Sequence, residues 1–132
     1  MCLLYKFMKR PVNINLLKIK LPLTALLSIT HRLSGMFVFF IVLPLTAISL
    51  YYLAQSLESY EQFTALIESN LSLKFLFLSC LIIFKYHIFT GVRHMLMDFH
   101  LISESLNASH RSSQITLMLF LIDSIVTILV VL

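Results

Sequence analysis

Ser28, His31, Arg32 and Gly35 fall at i, i+3, i+4 and i+7, so on a helix they share one stripe. His87, Gly91, His94 and Asp98 fall at i, i+4, i+7 and i+11 and form a second stripe. Both lie in or beside long apolar runs, where polar groups are costly and each invites a functional role. A neutral imidazole as deep as His87 can ligate a metal or haem iron. The plain alternative is a packed histidine bonded to a carbonyl of a neighbouring helix. Gly91, one turn on, removes a side chain where a flat macrocycle would need to lie close. Ser28 and Arg32 put a hydroxyl donor and a fixed positive charge one turn apart. Such a pair can hold a carbonyl oxygen and stabilise the anion formed when it is reduced, as a quinone head group in a water-poor pocket requires. The alternative for Arg32 is snorkelling to phosphate head groups.

Spacing limits a haem. His87 and His94 are about 10.5 Å apart along one helix face, so they cannot hold one iron from opposite sides. The third apolar span has no histidine. His31 is a candidate within the chain but lies toward the inner end of its span. A histidine from a partner chain is the better expectation. His94 can pair with Asp98 at i+4 or meet a haem propionate, and Arg93 adds a charge at the inner end. His31 can supply protons, bond a propionate or face lipid head groups.

The elements that must position these residues are helices in a membrane. The chain has 132 residues, 59% of them hydrophobic and 12% charged, with a mean hydropathy of +0.94. A soluble fold cannot cover that much apolar surface, and a disordered chain would not carry it. Leu33 to Ala54 has no charged residue; its 22 residues make a helix of roughly 33 Å, enough to cross the hydrocarbon core. The expected spans are about 23–54, 71–95 and 113–132, within a single all-α membrane domain over 1–132. Pro22 suits a first helical turn, and Pro44 predicts a kink in mid-span. The spans are too dissimilar to read as internal repeats. Cys2 and Cys80 give no disulfide framework, and no cleavable signal peptide is visible.

The net charge of +4 does not mark nucleic-acid binding, because the bases form no stripe or face. Lys6, Lys9, Arg10, Lys18 and Lys20 precede the first span, while the loop Gln55–Asn70 carries Glu58, Glu61 and Glu68 and no base. Arg93 and Arg111 flank the next connection. Basic flanks stay inside, so the N-terminus is expected inside and the C-terminus outside. Residues 1–21 mix apolar and basic side chains and are expected along the inner surface, against anionic lipid or a soluble partner. Lys74 reads as a snorkelling anchor. Lys85 and Asp123 can pair between the second and third spans, which would lower the cost of burying each, or Asp123 can contact a partner. Phe37, Phe39, Phe40, Phe75, Phe77 and Phe84 read as lipid-facing or packing residues, and Tyr51 and Tyr52 as an outer aromatic belt.

Two longer runs carry a resemblance. Arg10-Pro11-Val12, Leu21-Pro22-Leu23-Thr24 and Ser28-Ile29-Thr30-His31-Arg32-Leu33-Ser34-Gly35 resemble the N-terminal signature of the succinate dehydrogenase cytochrome b subunit family. His87-Ile88-Phe89-Thr90-Gly91-Val92-Arg93-His94-Met95-Leu96-Met97-Asp98 resembles that family's second signature. The similarity extends across nearly the whole chain in length and span count. It implies the larger membrane anchor of respiratory complex II, half of a heterodimeric helical anchor in a bacterial inner membrane, or a mitochondrial one if organelle-encoded. The partners implied are a small hydrophobic anchor subunit, an iron–sulfur subunit and a flavoprotein subunit. A haem b would be shared with the small anchor, which supplies the second axial ligand, and ubiquinone would be the substrate. By match to the motifs His87 is the axial ligand, Ser28 and Arg32 are quinone-site residues, and His31 lies beside the propionates and the quinone pocket. Arg93 and His94 fall to propionate contact or inner-face structure. The chain departs from the pattern at His100, where the family has a small residue, and in its intramembrane Lys85 and Asp123.

The resulting expectation is a haem- and quinone-binding anchor that does not oxidise succinate by itself. A fumarate reductase anchor, a haem-free quinone-site anchor and a small proton or ion conduit are the alternatives. The conduit would need polar groups across the whole bilayer, whereas Met36 to Ala54 offers only Thr46 and Ser49.

Overall fold

The computed structural model describes residues 21–103 and 105–132. Residues 1–20, which hold Cys2 and most of the expected inner-surface segment, lie outside them. Helix α1 (Leu23–Phe37) passes through a π turn (Val38–Val42) into α2 (Leu43–Leu53). Then follow α3 (Leu57–Ser69), α4 (Leu71–Asp98) and α5 (Leu106–Val131). The unit Leu23–Leu53, α4 and α5 are each long and apolar enough to cross a membrane. The protein is an all-α membrane protein, with three spans among the described residues.

The π turn sits where Pro44 demands it. Proline has no N–H and its ring crowds the carbonyl four residues back. The chain widens just before it, and Leu43 N–H bonds to Val38 O, five residues earlier. Where a kink is expected at Pro44, the structure has a π turn just before it.

Helices α1 and α4 are antiparallel: Thr30 meets Tyr86, Ser34 meets His87, and further along Val38 and Val42 pack with Cys80. The buried residues of α5 are Ser109, Ser113, Thr116, Ser124 and Thr127, while Ile115, Ile122, Val126 and Val130 are exposed. That inside-out pattern suits a lipid-facing helix, whose small residues let neighbouring backbones approach. Lys85 Nζ lies 3.0 Å from Asp123 Oδ2 and donates to Thr127 Oγ1 at 2.5 Å, so the expected α4–α5 pair forms. The pair is an ion contact only, since Asp123 Oδ2 lacks the geometry of a directed hydrogen bond.

The segment Gln55–Asn70, expected as a loop, is largely helix α3. Ser56 caps it by accepting from Ser59 N at 3.0 Å, Glu58 lies in its first turn, and Phe63 packs between Tyr52 and Phe77. A charged, capped amphipathic helix of this kind lies at an interface rather than across it. Helix α5 begins at Leu106, two turns before the apolar part, because Ser105 caps it by accepting from Ala108 N. After α4, His100 has φ 57, the left-handed conformation that glycine adopts without strain. That conformation accounts for the small residue expected at this position.

Candidate functional site

The two stripes read from the sequence meet face to face between α1 and α4. The His31 and His87 rings stack, with centroids 4.3 Å apart and an interplanar angle of 3°. His31 is therefore level with His87 rather than nearer the inner end. The His94 ring lies against His31 at 5.1 Å and 44°. All three are half-buried and border an open groove with Gly91, Ile88 and Met95.

Each imidazole is held by a hydroxyl on the opposite helix. His87 Nδ1 is 3.1 Å from Ser34 Oγ, and His31 Nδ1 is 2.8 Å from Thr90 Oγ1. Each ring also occupies the space over a glycine of the opposite helix. A Cβ on Gly35 would stand 3.1 Å from His87 Cε1, and one on Gly91 would stand 3.1 Å from His31 Cε1. The expectation that Gly91 makes room for a macrocycle is corrected here: its space is taken by the His31 ring. One helix reads His31-Arg-Leu-Ser34-Gly35 and the other His87-Ile-Phe-Thr90-Gly91. The two antiparallel helices thus clasp through one five-residue pattern used twice. Sequence reasoning missed Ser34 and Thr90; the repeated His-x-x-Ser/Thr-Gly spacing was the available signal. It also missed Tyr86, whose hydroxyl bonds Thr30 Oγ1 while its ring packs edge-on against Phe120 of α5.

Ser28 is half-buried and Arg32 exposed, on the turns of α1 that flank His31. Among the described residues neither has a hydrogen-bond partner, so both are free to meet a ligand. His94 forms no salt bridge with Asp98; Arg93, Asp98 and Arg32 are all within electrostatic reach of it. Arg93 itself points elsewhere. It is 3% exposed and bonds Ser112 Oγ at 3.1 Å, Ser109 O at 3.1 Å and Ser109 Oγ at 3.2 Å. Its guanidinium fastens α4 to α5 on a different face from His87, and a propionate contact does not fit this placement.

Residues 6–130 match the family model described as the succinate dehydrogenase/fumarate reductase transmembrane subunit. The chain belongs to this family. The match spans every residue of the clasp, and it bears out the resemblance of the two signatures. The succinate dehydrogenase cytochrome b556 subunit of Coxiella burnetii is 40% identical over 90 residues, 68% of this chain and 71% of that protein. The stacked histidines thus belong to the transmembrane subunit of a multisubunit enzyme. Among the described residues no three His, Cys, Asp or Glu side chains converge as a metal cage. A haem would ask for less than such a cage, since a porphyrin supplies most of its iron's ligands itself.

Proposed function

We propose that this chain is the haem b- and ubiquinone-binding anchor of succinate:quinone oxidoreductase, passing electrons from an iron–sulfur subunit to ubiquinone. The observation that carries the reading is the setting of His87. Its Nδ1 is engaged by Ser34, and among the described residues its Nε2 has no hydrogen-bond partner at the edge of an open groove. His87 is half-buried and opens onto the groove, where an iron-bearing group can reach that nitrogen. His31, stacked on His87 with ring centroids 4.3 Å apart, would not be placed to hold the same iron; His87 would be this chain's ligand. The second ligand is assigned to a histidine of a small hydrophobic anchor subunit.

When bound there, a haem b supplies a one-electron relay between the iron–sulfur subunit and the quinone pocket. The chain's own residues do the rest. Ser28 donates a hydrogen bond to a quinone carbonyl oxygen, and the Arg32 guanidinium stabilises negative charge as it develops there. His31, between that pair and His87, orients a haem propionate or hands on a proton, with His94 beside it. A flavoprotein subunit oxidises succinate; this chain does not. The flanking charges support an N-terminus inside and a C-terminus outside a bacterial inner membrane, or a mitochondrial one. The family description spans fumarate reductase as well, so the same anchor running in reverse is the second reading. The ratio of succinate oxidation to fumarate reduction in the purified complex distinguishes the two.

The test is His87→Ala in the whole complex. Purified in mild detergent, the complex loses or weakens the reduced-minus-oxidised bands of a b-type cytochrome. Unchanged bands would reject the assignment.

A further inference from the structure

Ser34 is 6% exposed and has one hydroxyl proton to give. Ser34 Oγ donates it to His31 O at 2.7 Å. Toward His87 Nδ1, 3.1 Å away, the same oxygen therefore acts as acceptor. With Ser34 as the acceptor, the proton belongs on His87 Nδ1 and Nε2 keeps its lone pair. Thr90 repeats the arrangement: its Oγ1 donates to Tyr86 O at 2.8 Å and lies 2.8 Å from His31 Nδ1. Each hydroxyl has a helix carbonyl within donating distance, so each can present a lone pair to the imidazole opposite.

We propose that Ser34 is a positioning residue for His87, fixing the Nδ1–H tautomer and setting the donor strength of Nε2. The proposal rests on the reading of His87 as an axial ligand. An imidazole whose N–H donates to a neighbouring oxygen is a more basic ligand, and a more basic ligand favours oxidised iron. Loss of the acceptor raises the haem midpoint potential.

The experiment is a redox titration of the haem bands in the purified complex, with haem content measured alongside. Wild type is compared with Ser34→Ala and Ser34→Cys. Acceptor strength runs Ser above Cys above Ala, because sulfur accepts weakly. Side-chain size runs Cys above Ser above Ala. The expected potentials are lowest in wild type, higher in Ser34→Cys and highest in Ser34→Ala. Potentials that follow size, with Ser between Cys and Ala, or that do not move, would overturn the proposal. Should Ser34→Ala assemble without haem, Ser34→Cys decides alone: a potential above wild type supports the proposal, and one equal or lower sinks it. Haem persisting in His87→Ala would instead remove the axial-ligand reading. Unmoved potentials with haem lost in His87→Ala would remove only the role of Ser34.

Discussion

Breaking the Lys85–Asp123 pair from one side should destabilise the protein more than deleting it. Lys85 is the middle of α4, about 20 Å from either end, beyond the reach of a snorkelling side chain. Its ammonium and the Asp123 carboxylate are 3.0 Å apart. At an effective dielectric near 20 their attraction is about 5.5 kcal/mol. The side chains are 27% and 37% exposed, but at this depth the exposure is to acyl chains or a partner helix, so salt screens it little. Desolvation offsets most of the attraction, and the net value of the pair is small. Asp123→Asn leaves the ammonium with little beyond Thr127 Oγ1. An isolated charge at mid-helix costs about 2.5–3.5 kcal/mol on insertion scales. Lys85→Met strands the carboxylate in the same way, at a similar cost. Lys85→Met combined with Asp123→Leu removes both charges and returns close to wild type, within about 1 kcal/mol. The assay is the thermal inactivation half-life of the complex in mild detergent or nanodiscs. The expected order is wild type close to the double variant, with Lys85→Met and Asp123→Asn both less stable. A double variant as unstable as the two single losses combined would refute the coupling and the placement of the pair.

Ser28→Ala or Arg32→Leu should impair quinone reduction, by on the order of 10²-fold for the arginine, while succinate oxidation by a soluble artificial acceptor is kept; loss of both activities would indicate failed assembly. Gly91→Ala should destabilise by up to about 2 kcal/mol. The added methyl meets His31 Cε1 at 3.1 Å, and overpacking of about 1–3 kcal/mol outweighs a helix-propensity gain of about 1 kcal/mol; a melting temperature at or above wild type would show that the ring has room to yield. His100→Gly should stabilise by about 1 kcal/mol through relief of the left-handed backbone, read as a slower thermal inactivation of the complex.

The spans were legible because hydrophobic length is a one-dimensional property, and the two stripes were legible because helical spacing is regular. The Lys85–Asp123 pair followed from the cost of stranding either charge. Which stripe faces which helix depends on crossing geometry, and no single periodicity carries it. His31 was therefore read as lying inward of His87, and Gly91 was given the wrong neighbour. Ser34 and Thr90 looked like unremarkable small helix residues; only opposite a histidine do they acquire a role. Helix α3 was missed because its acidic, serine-bounded sequence suits a loop as well as a capped interfacial helix. Arg93 looked like part of the site by its neighbours in sequence, yet it lies on another face of α4.

The doubled His-x-x-Ser/Thr-Gly pattern also works as a ruler. Because α1 and α4 run in opposite directions and engage at matching offsets, sliding one past the other by a turn, about 5.4 Å, disengages both contacts together. Two imidazole N–H groups would then be stranded in hydrocarbon, at about 1–3 kcal/mol each, and both rings would leave their glycines for bulkier neighbours. Register between the first two spans is thereby checked at two points at once.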